Sequence, residues 1–499
     1  MAIRLRLERA DAAAKKATSR WQAKTPSAEG DSGSIGDVFN RDRTGLPQNE
    51  ESVSVCRSNP EIVLGGTNDY RGLLFPEQGE PFTGWHFSDD GGDSVAKEGL
   101  LPPVEMQGQD VPPGGDPVVV VHDRTCALYA ASLNYALGTD FPEDLFPNCI
   151  GVYKSDAATL AGCGGAVDES CWPTRRAVAE APDPGHFYDK EWFDVGWSGD
   201  AGLVVWVAWA DFVADLEAPS GISSVSIKAV RCDAALEECT DPILISGPDE
   251  DVQFVDVTVA GDGSTYMTWS EIRGELELAP QTFVHKLRVA APGSTDFGPT
   301  RVVYEETLAI PFGGKLVAND FPVATYPKNE VKSMSGGTRV YVVWDACAER
   351  VFDETVCDRS RIKLRYSDDQ GASWSPVKVL SAGGQNYFPA IANAPGTSKL
   401  AVVWFTNRFD EAFGNRQDVE LATIDASGNV IDRQRLTSRS NASEADPALG
   451  GAFIGDYIEV HVERGQAYVA YNANYRRASL LGEGVPVPQQ DNYLVRARL

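Results

Sequence analysis

Acidic and guanidinium side chains recur at two kinds of position along this 499-residue chain. One kind opens a run of alternating residues rich in Val, Ile and aromatic side chains, as in DPVVVV (116–121) and DKEWFDV (189–195). The other follows a second alternating run, as in AVVWFTNR (401–408). Carboxylates and arginines can bind a polar ligand bidentately and can supply general acids and bases. The candidates are Glu50, Asp116, Asp189, Asp251, Asp320, Tyr387 and Asp456 at the first kind of position, and Asp69, Arg71, Asp211, Glu271, Arg273, Arg408 and Arg476 at the second.

An internal repeat supplies the elements that would position these side chains. Copies of the second run lie at 62–71, 128–135, 204–212, 266–273, 341–347, 401–408 and 468–476. A strand-like run precedes each copy (319–325 in the fifth), and one or two further runs follow it. Alternation with period two, broken by Gly, Asp and Pro, predicts antiparallel strands. Because a four-stranded unit cannot bury both of its faces alone, radial stacking is expected. The sequence therefore predicts an all-β fold, a single β-propeller of seven four-stranded antiparallel blades, with six blades as the alternative.

The two ends of the chain are expected to close the ring. The run AIRLRLE (2–8) alternates strictly, and so does the terminal DNYLVRARL (491–499). Pairing of these N- and C-terminal strands would remove the open edge of the last blade. We divide the chain into an N-terminal strand, short helix and extended arm (1–48) and a propeller (49–499). The arm is a candidate contact for assembly partners.

Composition excludes several classes of protein. A formal net charge of −28 and a pI near 4.6 disfavour binding to nucleic acid. No apolar stretch is long enough to span a membrane, and no secretory signal is visible at the N-terminus.

Three cysteine pairs flank short polar loops, which predicts disulfides and an oxidising, extracellular or cell- or particle-surface location. These pairs are Cys163/Cys171, Cys232/Cys239 and Cys347/Cys357, with Cys126/Cys149 as a candidate fourth pair that leaves Cys56 over.

One short stretch, Ser367-Asp368-Asp369-Gln370-Gly371-Ala372-Ser373-Trp374, has the form S-x-D-x-G-x-x-W. An Asp can accept backbone N–H bonds inside a turn, Gly can adopt positive φ, and Trp can pack on the blade. A weaker copy has Ser88, Asp90 and Gly92, with Val95 where Trp is usual. The motif resembles the Asp-box of the sialidase-like (BNR-repeat) propeller family. In that family these turns lie away from the active face, so Ser367, Asp369, Gly371 and Trp374, like Ser88, Asp90 and Gly92, are expected to be structural.

The resemblance also implies an active site at the mouth of the channel, where inner strands begin and second strands end. Sialidases clamp a substrate carboxylate with three arginines and use a Tyr nucleophile, a Glu partner and an Asp acid/base. On this pattern Arg71, Arg408 and Arg476 are the candidate clamp, and Asp116, Asp320 and Asp456 are further ligand-binding candidates. Tyr457 or Tyr475 would be the nucleophile, Glu271 or Glu459 its partner, and Asp69 or Asp189 the acid.

Two functions follow, and the arrangement of the arginines should distinguish them. The Arg-Ile-Pro motif of the first blade in true sialidases is absent from this chain. We therefore favour a non-enzymatic module that recognises a glycan or surface protein, with a surface or particle assembly as a candidate setting, over an exo-glycosidase of sialidase type. No cofactor is required. The run Asp-Asp-Gly-Gly-Asp (89–93) has oxygen ligands suited to Ca²⁺, but it fits a solvated turn equally well.

Overall fold

The alternating runs form seven four-stranded antiparallel sheets arranged as a β-propeller, which confirms the predicted fold class. The computed structural model describes residues 37–136, 146–215, 217–218, 221–247, 251–274, 281–311, 314–317, 319–351, 356–410 and 412–499. The innermost strands contact one another in a closed cycle, from the first blade round to the seventh and back. The predicted strand 2–8 and helix 10–24 lie outside the described residues.

Each blade is given from the channel outwards. Blade 1 comprises Gln48–Val55, Val63–Asp69, Thr83–Ser88 and Lys97–Leu100. Blade 2 comprises Pro113–Val121, Leu128–Asn134, Cys149–Ser155 and Thr174–Glu180. Blade 3 comprises His186–Trp197, Leu203–Ala214, Ile222–Asp233 and Ile243–Leu244. Blade 4 comprises Val252–Val259, Thr265–Arg273, Thr282–Ala290 and Arg301–Glu306.

The remaining blades follow the same plan. Blade 5 comprises Lys328–Met334, Gly337–Val351, Val356–Ser367 and Lys378–Val379, with Lys315–Leu316 added in parallel to its third strand. Blade 6 comprises Asn386–Asn393, Lys399–Thr406, Asp418–Asp425 and Val430–Arg435. Blade 7 comprises Glu459–Glu463, Gln466–Ala473, Asp491–Arg498 and Asp37–Val38. Two small hairpins are made of Val104–Met106 with Gln109–Val111 and Arg477–Ala478 with Val487–Pro488.

Helices are few and short in the described part of the chain. The α-helix is Ala157–Gly162, which Asp156 caps by accepting a hydrogen bond from the Thr159 amide. Single 3₁₀ turns lie at Tyr70–Leu74, Pro76–Gln78, Glu169–Cys171, Gly199–Ala201, Ser443–Ala445 and Leu480–Gly482. None of these described helices is long and apolar enough to cross a membrane.

The core lies between neighbouring blades, where large side chains from the second strands pack. Trp206 and Trp209 in blade 3, Trp269 in blade 4, Trp344 in blade 5 and Trp404 in blade 6 are all fully buried. Each Trp removes a large apolar area from water, so the repeated aromatic position in the sequence stabilises the stack of blades.

Ring closure uses a short strand near the start of the described residues. Asp37 and Val38 pair with Leu494 and Tyr493 of the C-terminal strand, so blade 7 is built from both parts of the chain. Next to this strand the Phe39 amide donates to the Asn492 carbonyl at 2.8 Å.

Four disulfides are present among the described cysteines. Three of them are the predicted pairs Cys163–Cys171, Cys232–Cys239 and Cys347–Cys357. The predicted pairing of Cys126 with Cys149 is wrong, because Cys126 bonds to Cys56 and Cys149 is a buried free thiol. Cys56 follows the inner strand of blade 1, and Cys126 follows that of blade 2. This disulfide therefore links two blades on the face opposite the mouth.

The inner strand of blade 5 also differs from the prediction. It spans Lys328–Met334, whereas residues 319–325 were expected to form it. Pro322 and Pro327 lack the amide hydrogen that a ladder needs, so the segment before Lys328 remains irregular. Asp320 consequently lies in a connection, and its side chain is 77% exposed and 3.9 Å from the Lys315 ammonium.

Candidate functional site

Five of the inner strands break their register close to the mouth. The breaks leave two residues unpaired in each strand, between Asn49/Ser52, Gly115/Val118, Asp189/Trp192, Gln253/Asp256 and Tyr387/Ala390. In every break one non-glycine residue adopts positive φ. These residues are Glu50 (61°), Asp116 (53°), Lys190 (52°), Phe254 (61°) and Phe388 (52°). A non-glycine residue in this region is strained by about 1–3 kcal/mol, and such strain is typical of functional positions.

Lys190 is the centre of a charge cluster contributed by four blades. Its ammonium lies 2.7 Å from Asp456 Oδ2, 3.0 Å from Asp116 Oδ2 and 3.4 Å from Glu50 Oε1. The Lys190 side chain is only 11% exposed, so these interactions are poorly screened by solvent. Three predicted mouth carboxylates are therefore brought together, but around a lysine that the sequence analysis did not single out.

A cavity of about 30 Å³ adjoins this cluster, and Asp116, Lys190 and Asp456 are among its lining residues. Trp192, Phe254, Tyr326 and Tyr457 line it together with Lys328. The Lys328 ammonium lies over the Trp192 ring and 3.4 Å from Asp256 Oδ1. Burial lowers the pKa of Lys328 to about 8, although the Asp256 carboxylate opposes this shift. A space of this volume holds about one water molecule and excludes a sugar ring.

Tyr457, a candidate nucleophile, is buried, and its hydroxyl is hydrogen-bonded to the protein. Its hydroxyl donates to the Pro117 carbonyl at 2.9 Å, and its ring meets Trp192 edge-on at 5.6 Å. Burial, with the nearby Glu50 carboxylate, raises the pKa of Tyr457 well above its usual value. The alternative, Tyr475, donates to the Arg439 carbonyl at 2.6 Å.

Arg71 is paired within blade 1. Its Nε lies 2.9 Å from Asp69 Oδ2, and its Nη1 lies 2.6 Å from Glu98 Oε1. Burial alone would raise the pKa of the Asp69 carboxyl, but the Arg71 guanidinium outweighs this effect and the pKa lies below its usual value. An ionised Asp69 accepting hydrogen bonds from arginine is not in the protonated state that a general acid requires.

The other candidate arginines are likewise paired within their own blades. Arg408 forms a bidentate pair with Glu420, using Nε at 2.9 Å and Nη2 at 2.5 Å. Arg476 Nη2 donates to Asp491 Oδ1 at 2.6 Å and to Asn40 Oδ1 at 3.0 Å. Glu420 and Asp491 are fully buried.

Two predicted carboxylates have basic partners, and a third lies beside a strand break. Glu271 accepts from Arg273 Nε at 2.8 Å and pairs with Lys286 Nζ at 2.7 Å. Burial would raise the pKa of Glu271, but the hydrogen bonds from Arg273 and Lys286 lower it. Asp211 lies 2.9 Å from His186 Nδ1. Asp189 is opposite Ala210, immediately before the register break of blade 3.

The two predicted Asp-box turns have the same set of hydrogen bonds. Ser367 Oγ donates to Asp369 Oδ1 at 2.7 Å, and the Ser373 amide donates to the same oxygen at 2.8 Å. In the other copy Ser88 Oγ donates to Asp90 Oδ1 at 2.7 Å, and the Ser94 amide donates to it at 2.9 Å. In both turns the glycine amide donates to the first serine, for Gly371 at 2.8 Å and for Gly92 at 2.9 Å.

Two acidic side chains in the run 89–93, the candidate Ca²⁺ site, have protein partners. The Asp90 carboxylate accepts hydrogen bonds from the Ser88 and Ser94 hydroxyls, and the Asp93 carboxylate pairs with Arg496. No group of three or more His, Cys, Asp or Glu side chains in the described part of the chain is arranged to hold a metal ion.

A larger cavity opens on the mouth side of blade 6, and we call it the blade-6 pocket. It has a volume of about 330 Å³ and is lined by Gly383, Gly384, Asn407, Arg408, Asp410 and Gly414. The glycines precede the inner strand, and the other residues follow the second strand. Gly384 has φ +83°, and a Cβ there would lie 2.8 Å from Arg408 Cβ, so glycine lets the two connections approach.

Sequence reasoning found Arg408 but missed the rest of this pocket. The pair Gly383-Gly384 directly before a predicted inner strand was the available signal, because adjacent glycines mark a close backbone approach. For Lys190 the available sequence signal was its position next to Asp189 at the start of a predicted strand. The carboxylates that it contacts are set by how the blades are arranged around the channel.

No protein-family model matches the sequence, and a search of curated proteins finds no relative. Solved structures with a similar chain path include a protein of unknown function from Dyadobacter fermentans, at 9% identity over 93% of this chain and 98% of that chain, with a TM-score of 0.47. The polysaccharide lyase Uly1 is similar at 9% identity over 96% of this chain and 95% of that chain, with a TM-score of 0.46. The endosialidase of phage phi92 is similar at 12% identity over 93% and 69%, with a TM-score of 0.44. At these identities and TM-scores the similarities say nothing about what this chain binds.

Proposed function

We propose that this propeller recognises a glycan, or a glycan-bearing surface protein, at its mouth without cleaving it. The observation that carries the proposal is the pairing of the arginines. Arg71, Arg408 and Arg476 each donate to a buried carboxylate of their own blade. A clamp of the sialidase kind needs guanidiniums whose donors face the ligand's carboxylate. Guanidiniums that are already neutralised within their blades lack the unpaired charge on which such a clamp depends.

The state of the candidate nucleophile supports the same proposal. A tyrosine nucleophile needs a hydroxyl that can lose its proton to a base and reach the substrate. The Tyr457 hydroxyl instead donates to the Pro117 carbonyl in a cavity of about 30 Å³. The raised pKa of Tyr457 further disfavours the phenolate.

Two features support a glycan as the ligand class and an extracellular setting. The turns at 88–94 and 367–373 share the hydrogen bonds expected of Asp-box turns, and the family that this motif resembles acts on glycans. Four disulfides are stable in an oxidising compartment and rare in a reducing one. A role on a cell or particle surface is consistent with both.

An array of neutral and acidic glycans probed with labelled, folded protein tests this proposal. We expect binding to a subset of glycans, each recovered intact by mass spectrometry after prolonged incubation. Shortening of a bound glycan would support the exo-glycosidase instead. Absence of binding to every glycan would contradict recognition of this ligand class.

A further inference from the structure

The charged side chains that line the blade-6 pocket are neutralised by protein partners. Glu420 occupies Nε and Nη2 of Arg408, which leaves the Nη1 amino group for a further acceptor. Asp410 accepts from Arg416 Nη2 at 2.7 Å and from the Arg416 amide at 3.1 Å. The charged residues among the described lining residues are therefore one arginine and one aspartate. Each is neutralised by a protein counter-ion of its own. A charged ligand would gain little from such a site, because its desolvation would not be compensated by an unpaired opposite charge.

The groups that remain in the pocket suit hydroxyls. A hydroxyl both donates and accepts, so it can accept from Arg408 Nη1 and donate to a backbone carbonyl of the pocket wall. The Asp410 carboxylate is 1% exposed and already accepts from Arg416 and Asn415. The two glycines expose backbone on the opposite wall, and a Cβ added at Gly383 would meet no heavy atom within 4 Å. The volume of about 330 Å³ lies near the lower end of ligand pockets, which span about 300–1,000 Å³. A terminal sugar and part of its neighbour match that size.

An apolar surface adjoins these polar groups. Phe413, next to the lining residue Gly414, is 74% exposed. The Arg416 guanidinium lies 5.7 Å from its ring centre. An exposed aromatic beside a polar pocket is typical of recognition sites, since the ring can cover the C–H face of a sugar while the pocket bonds its hydroxyls.

We propose that the blade-6 pocket binds the uncharged, hydroxyl-rich terminal sugar of a glycan, with Phe413 covering its apolar face. This inference rests on the proposed recognition function and narrows it to one pocket and one ligand class. The proposed site differs from an arginine clamp that binds an acid. Glu420 neutralises and orients Arg408, which therefore serves only as a hydrogen-bond donor. Binding should consequently depend little on salt.

A pocket-filling variant gives the sharpest test. Gly383→Leu adds a side chain at a lining residue of the pocket without backbone strain, because the residue has no positive φ and an added Cβ would meet no heavy atom within 4 Å. Gly336→Leu is the matched control. Gly336 is equally free of neighbours, but it lies in the turn between Lys328–Met334 and Gly337–Val351, on the face opposite the mouth. Both variants are first checked for wild-type thermal unfolding.

The probes are oligosaccharides ending in neutral sugars and matched ones ending in uronic or sialic acids. We expect wild type and Gly336→Leu to bind a neutral-ended probe, and Gly383→Leu and Phe413→Ala to lose at least about tenfold in affinity, or about 1.4 kcal/mol. The wild-type Kd should change less than about twofold between about 50 and 500 mM NaCl. Equal binding by Gly383→Leu and wild type, or binding of acid-ended probes alone, would overturn the inference while leaving glycan recognition intact. Absence of binding to every probe by the folded wild type would overturn both.

Discussion

The Lys190 ammonium lies 2.7 Å from the Asp456 carboxylate, and these two residues come from blades 3 and 7. Lys190 also pairs with Asp116 of blade 2 and Glu50 of blade 1. One strained, nearly buried lysine therefore joins four blades at the mouth. Three of the mouth carboxylates named in the sequence analysis, Glu50, Asp116 and Asp456, are therefore held by a protein cation. The blade-6 pocket is the more open of the two described cavities on this face.

Replacing Lys190 by Met should destabilise the ring strongly. Removing one partner of a buried ion pair leaves uncompensated charge and typically costs about 3–5 kcal/mol. The measurement is urea unfolding at neutral pH, with Lys315→Met as the control. The Lys315 side chain is 46% exposed, and its ion pair with an exposed aspartate is long at 3.9 Å. A loss below about 1 kcal/mol for Lys190→Met would show that the cluster does not hold the blades together.

Glu330 should make stability fall as pH rises. The Asn393 amide donates to Glu330 Oε2 at 3.0 Å, which links blade 5 to blade 6, and burial raises the pKa of Glu330 to about 7. Because this folded-state pKa exceeds the unfolded value, the native state binds more protons between about pH 4.5 and 7, and stability is lost across that range. Relative to Glu330→Gln, wild type should lose about 2–3 kcal/mol between pH 5 and pH 8.

Chemical unfolding of both proteins at several pH values measures this difference. The comparison with Glu330→Gln isolates one group from the buried histidines, such as His285, whose pKa burial lowers to about 3. A constant difference between the two proteins from pH 5 to pH 8 would contradict the assigned pKa.

The disulfide between Cys56 and Cys126 should stabilise the fold more than the local one between Cys163 and Cys171. The sequence separations are 70 and 8 residues, so the chain-entropy model assigns about 4 and about 2.5 kcal/mol to the two bonds. Double Cys→Ala variants avoid a new free thiol, and calorimetry gives the change in Tm. A smaller effect for the 56/126 variant would argue against the inter-blade link as a constraint on unfolding.

The two turns at 88–94 and 367–373, which the sequence predicts to be Asp-box turns, should contribute similar stability and nothing to ligand binding. Asp369→Ala and Asp90→Ala each remove the acceptor of equivalent serine and amide donors. We expect each to lower the free energy of unfolding by about 1–2 kcal/mol with glycan affinity unchanged. A loss of binding in either variant would place that turn in the recognition surface.

Sequence patterns were sufficient for the blades but not for the contacts between them. Period-two alternation and the repeated Trp206, Trp269, Trp344 and Trp404 positions predict second strands, because the same local geometry and the same burial recur in each blade. The partners of Lys190 and Cys56 depend on how blades stack, which alternation does not encode. The sequence places Asp320 at the start of an inner strand because residues 319–325 resemble one. Pro322 and Pro327 lack the amide hydrogens that such a strand needs for pairing. The blade-6 pocket depends on two connections that approach only when the ring is formed.

Glycoside turnover is the most direct test of recognition without cleavage. Wild-type protein is incubated with a panel of fluorogenic glycosides that includes a sialoside and neutral glycosides, with Arg408→Ala and Asp189→Ala in parallel. Recognition without cleavage predicts no release of fluorophore above the rate of the uncatalysed reaction by any of the three folded proteins. Release by wild type that disappears in either variant would establish a glycosidase at the mouth and contradict recognition without cleavage.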